Sequence, residues 1–117
     1  MAVAMDIRER REDGITVIQL SGRLTVNDQP GQLKTAVMDA VQGGAKHVLL
    51  DMAGVPYIDS TRLGELIAAH VTASRQGSRL GLVAVPKRIS DLLTLAGLDG
   101  VFQCFATAHD ASMELGR

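Results

Sequence analysis

Three side-chain oxygens in a row, those of Asp59, Ser60 and Thr61, stand directly before an apolar stripe at helical spacing. Two kinds of chemistry fit that pattern. The first is structural: Asp, Ser and Thr are preferred helix N-caps, because their oxygens accept hydrogen bonds from the unpaired N–H groups of the first turn, worth about 1 kcal/mol to the helix. The second is covalent: a hydroxyl at a helix N-terminus is a suitable phosphate acceptor, since free amides and the positive end of the macrodipole stabilise the added anion. Phosphorylation there adds roughly −1.5 to −2 charges at pH 7 beside the Asp59 carboxylate, so a partner that fits a neutral hydroxyl then meets repulsion.

Other chemistries find less support. The candidate bases are His47, at the start of an apolar run, His70, on a helical stripe, and His109, near the C-terminus. None stands where nucleophilic catalysis would need it, beside a Ser or Cys with an orienting group. Asp51 and Asp59 are conceivable as paired carboxylates of an acid/base enzyme. Each also has an ordinary role, at a strand end and at a helix cap. One cysteine, Cys104, with no histidine pair at i, i+4, gives no metal site. Neither glycine-rich nucleotide motif occurs, and Gly22, Gly43-Gly44, Gly77 and Gly97 read as turns and helix ends.

The elements that must position Ser60 follow from the hydrophobic period. Met5, Ile7 and Ile15 to Leu20 carry β-type patterning around Glu12-Asp13-Gly14, which predicts an antiparallel hairpin. From Pro30 to Val41 the apolar positions Leu33, Val37, Ala40 and Val41 recur at helical spacing, closed by Gly43-Gly44. The run His47 to Met52 is short, apolar and rich in β-forming residues, as expected of a strand buried on both faces in mid-sheet. Ser60 to Arg75 places Leu63, Leu66, Ile67, His70 and Val71 on one stripe, and Gly77 follows its end. Leu80 to Val85 predicts another strand, Pro86 a third helix with Ile89, Leu92, Leu93 and Ala96 inward, and Gly97 its end. A short strand at Val101 to Phe105 and a helix at Asp110 to Leu115 complete a β-β-α-β-α-β-α-β-α order. Strands alternating with helices after a hairpin imply a largely parallel sheet with right-handed crossovers.

Composition bounds the partners. The 117 residues are 46% hydrophobic, enough for one continuous core, and the order shows no repeat or linker. Twelve basic against thirteen acidic residues, with 3% aromatic, argue against direct nucleic-acid binding. Arg8, Arg10 and Arg11 interleave with Glu9, Glu12 and Asp13 and read as a solvated strand face. No apolar stretch approaches the ~20 residues that insert across a bilayer. The N-terminus lacks a secretory pattern, and the lone Cys104 fits a reducing compartment.

Residues 48–64, VLLDMAGVPYIDSTRLG, resemble the signature of bacterial anti-sigma factor antagonists with a STAS domain, in which a strand and loop lead to D-S-[ST]-G-L-G at a helix start. Here the hexapeptide is Asp59, Ser60, Thr61, Arg62, Leu63, Gly64, preceded by Tyr57-Ile58 in the usual aromatic-apolar position. Ile15 to Gly22 with Arg23-Leu24 looks like the family's second strand and its G-x-[LF] ending. Pro86 to Gly97 looks like its third helix, with Leu93 through Leu98 as the L-x-x-x-G-L ending. The resemblance covers nearly the full chain. It implies a single STAS domain over residues 1–117: a mostly parallel five-stranded sheet with an N-terminal antiparallel hairpin, packed with about four helices.

The resemblance also implies a role. Ser60 would be phosphorylated by a cognate anti-sigma factor that is itself a serine kinase, and a serine phosphatase would reset it. Unphosphorylated, the chain would bind the anti-sigma factor in the cytoplasm and free the sigma factor, through Asp59, Ser60, Thr61, Arg62 and Leu63. It would need no cofactor and perform no catalysis. Thr61 is a second, lower-ranked acceptor, and Ile58 and Leu63 either dock the partner or pack in the core. Arg62 departs from the pattern, which has glycine there: it either folds back to pair with a Ser60 phosphate or obstructs the kinase. A different class of function is a constitutive STAS scaffold or accessory subunit, as in stressosome-like assemblies or lipid-transporter complexes, indifferent to Ser60. An enzyme would require a deep polar pocket with converging titratable groups. The oligomeric state is not legible.

Overall fold

Burial on both sides of the strand Ile15–Ser21 sets the architecture, because successive residues of a strand face opposite sides of the sheet and here both sides are packed. In the computed structural model, which describes residues 6–12, 14–21 and 32–115, the strands are β1 (Asp6–Glu12), β2 (Ile15–Ser21), β3 (His47–Gly54), β4 (Arg79–Val83) and β5 (Gln103–Phe105). The helices are α1 (Gln32–Gln42), α2 (Ser60–Arg75), α3 (Lys87–Leu95) and α4 (Ala108–Leu115). The strands form one sheet in the order β1-β2-β3-β4-β5, antiparallel between β1 and β2 and parallel thereafter. β3 is the central strand, as its apolar run predicts.

Ile18, Leu20, Val48, Leu50, Met52, Leu80 and Leu82 point to one face, where they pack with Leu33 and Val37 of α1, Leu66 and Ala69 of α2 and Ile89 and Leu93 of α3. Ile15, Val17, Leu49, Val83 and Phe105 point to the other and meet Ala111 of α4. Three helices thus share one face and α4 covers the second. A strand order that advances in one direction with its crossover helices on one side is what right-handed connections produce.

Glycines close the helices as read from the sequence. Gly97, at φ +74°, ends α3 in a motif where Leu98 N donates to Leu93 O at 2.8 Å and Gly97 N to Thr94 O at 3.0 Å. The same two bonds recur after α2, from Ser78 and Gly77 to Ala73 and Ser74, and after α1, from Ala45 and Gly44 to Ala40 and Val41.

Several details differ from the sequence reading. Val71 is 41% exposed, because it sits five residues and therefore about 140° around the helix from the buried Leu66. The inner face of α2 is completed by the small residues Ala69 and Ala73 instead. Ala96 is exposed, lying past the last residue of α3 in the cap itself. Val101 is also exposed, and β5 starts only at Gln103, after the buried Phe102. β3 runs to Gly54, β4 ends at Val83, and α4 begins at Ala108. The readings on Met5, Asp13, Gly22, Arg23-Leu24 and Pro30 fall outside the described residues.

Candidate functional site

The C-terminal edge of the parallel strands carries the site. β3 ends at Gly54, and buried Val55 and Ile58, 0% and 2% exposed, pin the loop that follows. This delivers Asp59 to the start of α2. Asp59 is the N-cap: its backbone is extended, and its Oδ1 accepts from Arg62 N at 2.9 Å. Its carbonyl accepts from Leu63 N at the same distance.

Asp59 does the capping, and Ser60 takes no part in it. Ser60 occupies the first helical position, is exposed, and its hydroxyl takes no part in the hydrogen bonds found among the described residues. Thr61 is exposed next to it.

Arg62 points inward. Its side chain is only 3% exposed and turns into the protein, where Nη1 donates to Glu65 Oε1 at 2.6 Å. It therefore does not project over the helix start as an obstruction. Glu65, which the sequence reading passed over, accepts with its other oxygen from Lys34 N at 3.0 Å and so satisfies an amide in the first turn of α1. The i, i+3 spacing of opposite charges at Arg62 and Glu65 was the available signal.

Beside Ser60 lies a groove of about 890 Å³ between the start of α2 and α3. Tyr57, Ile58, Asp59, Ser60 and Leu63 line one wall. Lys87, Arg88, Ile89, Asp91, Leu92 and Leu95 line the other. Leu63 is 8% exposed, so it belongs to the core and to the floor of the groove at once, while Ile58 is mainly core. The five residues Asp59 to Leu63 are thus contiguous but not equivalent: Ser60 and Thr61 form the surface, Asp59 and Arg62 hold the helix start, and Leu63 floors the groove.

The alternative acid/base pair dissolves into local structure. Asp51 Oδ1 accepts from Ala53 N at 3.0 Å at the end of β3, and Asp59 caps α2. His70 stacks edge-on against Phe102, with centroids 5.2 Å apart, and His109 is exposed on α4. His47 is half-buried at the start of β3, and its pKa is lowered by desolvation first and by the neighbouring charges of Arg79 and Lys46 second. Among the described residues no three His, Cys, Asp or Glu side chains gather as a metal site, and no helix is long and apolar enough to cross a membrane.

The sequence model of the STAS domain matches residues 6–111, from β1 into α4. The chain belongs to the STAS domain family. Its five-stranded mixed sheet with four helices is that of a STAS fold, as the resemblance implied. Among curated proteins, this STAS chain is 26% identical over 99 residues to the anti-sigma-F factor antagonist RsfB of Mycobacterium tuberculosis, covering 85% of this chain and 80% of RsfB. An anti-sigma-factor antagonist (STAS) domain protein from Planctomyces limnophilus superposes with a TM-score of 0.82 at 22% identity, covering 95% of this chain and 98% of that one. The Bacillus cell fate determinant SpoIIAA in its phosphorylated form superposes with a TM-score of 0.72 at 18% identity, covering 96% and 100%. At these identities the structural likeness is one of fold.

Proposed function

We propose that this STAS chain is an anti-sigma factor antagonist controlled by phosphorylation of Ser60. Unphosphorylated, it binds a cognate anti-sigma factor with serine kinase activity and so releases a sigma factor. Phosphorylation of Ser60 by that kinase ends the complex, and a serine phosphatase restores it. The observation that carries this reading is the division of labour at the start of α2: Asp59 supplies the cap bond to Arg62 N, and the exposed Ser60 hydroxyl is not needed for it.

The physics of release is electrostatic. A phosphate on Ser60 is held by the first-turn amides and the helix dipole. It also brings roughly −1.5 to −2 charges next to Asp59, onto a surface that a partner must desolvate to dock. Arg62 is compatible with this, because its guanidinium is buried against Glu65 and leaves the approach to Ser60 open. The 26% identity to a protein named as an anti-sigma-F factor antagonist supports the same class of partner.

The test is to purify the chain with its co-purifying kinase, add ATP, and map the modified residue. Stoichiometric phosphate at Ser60 is expected. Ser60→Ala should bind the kinase like the unmodified chain, and Ser60→Asp at least tenfold more weakly. Equal affinity of the two variants would sink the switch and leave a constitutive scaffold in its place.

A further inference from the structure

The seven-residue strand β1 is an edge of the sheet, with no described strand on its outer side. Which of its backbone groups are spare follows from the alternation of a ladder, in which successive residues turn their N–H and C=O groups to opposite sides. Gly14 O accepts from His47 N, so the even-numbered residues along β2 face β3 and the odd-numbered ones face β1. With Glu12 opposite Ile15 and Arg10 opposite Val17, the even-numbered residues of β1 bond to β2, and Ile7, Glu9 and Arg11 turn outward. None of these three spends an outward backbone group on another described residue. The other edge is smaller: β5 has three residues, and because Phe105 O accepts from Ala84 N, only Cys104 turns outward. Arg8, Glu9, Arg10 and Arg11 are all exposed, and Glu9 and Arg11, which share a face, pair at 3.0 Å.

Charges on an edge strand ordinarily keep copies apart, but whether they do so depends on the signs that a two-fold axis brings together. Outward-facing residues can bond only to outward-facing ones, so an antiparallel pairing of two β1 strands must be centred on a residue. Centred on Glu9, it sets Glu9 against Glu9 and Arg8 against Arg10. Centred on Arg8, it sets Arg8 against Arg8 and Glu9 against Ile7, with Asp6 opposite Arg10. Centred on Arg10, it sets Glu9 against Arg11 on both sides of the axis and Arg8 opposite Glu12 at both ends, and only Arg10 meets its like. The Glu9–Arg11 pair within each copy then joins its symmetry mate in one ring of alternating charge. We propose that β1 is a self-association edge, on which a second copy of this chain pairs antiparallel about Arg10 and joins the two sheets into one. The occupant is a second copy because the order of charges along β1 is complementary to itself when reversed. An axis perpendicular to the sheet keeps the faces matched, so the dimer carries both α2 starts, each with its Ser60, on the same side. No residue of the groove takes part, and the inference stands apart from the antagonist reading.

Sedimentation velocity of the full chain, over a range of concentrations at low and at high salt, tests the pairing. A monomer–dimer equilibrium that salt shifts towards monomer is expected. Glu9→Arg and Arg11→Glu each create like-charge contacts on both sides of the axis, so either should weaken the dimer at least tenfold. The exchange Glu9→Arg/Arg11→Glu restores opposite signs and should return the affinity to within severalfold of the parent. Arg10→Thr, which removes the like pair on the axis, should tighten it. Glu9→Pro deletes an outward N–H that β2 does not use, and should abolish the dimer while the thermal melt is retained. A chain that stays monomeric at every concentration in low salt overturns the proposal. So does a dimer that survives Glu9→Pro or both single reversals, since another surface then holds it. An exchange variant as weak as the single reversals overturns the register about Arg10.

Discussion

Arg62 and Glu65 form an ion pair at 2.6 Å with side-chain exposures of 3% and 10%, close to the start of the helix that presents Ser60. A pair so enclosed is costly to break from one side, because the remaining charge stays desolvated, yet replacing both members with apolar residues is often neutral. Glu65→Ala should therefore cost about 3 kcal/mol, with part of the loss arising at α1, whose Lys34 amide loses its acceptor. Arg62→Met/Glu65→Leu should cost less than that single change. Chemical denaturation of the two variants decides it: equal or greater loss in the double variant means that the pair stabilises the fold outright. Residue type alone could not show this, since arginine in a first helical turn ordinarily lies in solvent, whereas here it turns inward to Glu65, which is itself tied to the Lys34 amide of α1. His47 adds a pH dependence. Its native pKa is held below the unfolded value of about 6.5 by desolvation and then by Arg79 and Lys46. Protonation therefore favours the unfolded chain, so stability present above pH 6.5 declines as pH falls from there towards the lower native value. His47→Gln should flatten the denaturation midpoint across that window, and an unchanged slope would assign the pH dependence to other groups.

At the level of elements, the glycines separate what the fold requires from what it merely tolerates. Gly97 sits at φ +74° in the cap of α3, where a side chain is strained, and Gly97→Ala should destabilise by about 1 kcal/mol. Gly64 lies inside α2, one turn beyond Ser60, and a Cβ added there meets nothing within 4 Å. Alanine at an exposed helix interior is better than glycine by about 1 kcal/mol, so Gly64→Ala should raise the melting temperature. The fold thus does without the bare backbone at Gly64; under the antagonist reading proposed above, a partner backbone lying close against α2 would use it. The expected outcome is a more stable chain that binds the kinase less well, and a gain in both properties would remove Gly64 from the contact. Element positions were legible in the sequence wherever period and cap agreed, as at Leu63 and Leu66 before Gly77, or Ile89 and Leu93 before Gly97. They were less legible at the edges. Val71 looked inward because it is apolar, whereas Ala69 and Ala73, which carry little hydrophobic signal, make the inner face. The groove was beyond reading altogether, since it joins residues 57–63 to residues 87–95 through the β3-β4 adjacency, and no local pattern reports that proximity.

Both faces of the sheet are packed, and the groove beside Ser60 lies on one of them. β3 is covered on both sides, by α1, α2 and α3 through Val48, Leu50 and Met52, and by α4 through Leu49. The groove belongs only to the first side, at the strand ends from which α2 and α3 depart. Removing buried apolar volume on either side should cost about 2–5 kcal/mol, but the consequences for the site should differ. Leu49→Ala, on the α4 side, empties space beneath Val83 and Phe105 and leaves the seating of α2 alone. Its denaturation midpoint should fall while the ratio of kinase affinities between Ser60→Ala and Ser60→Asp, measured well below the melt, stays that of the parent. Leu66→Ala is 0% exposed in the parent and lies on α2 itself, in the cluster with Leu63 and Ile89. A comparable loss of stability there should also reduce the affinity of the unphosphorylated form, because α2 can settle towards the vacated space and shift Ser60 and Leu63 relative to α3. If both substitutions alter the affinity ratio equally, the two faces are coupled, and the sheet transmits strain from α4 to the groove instead of isolating it.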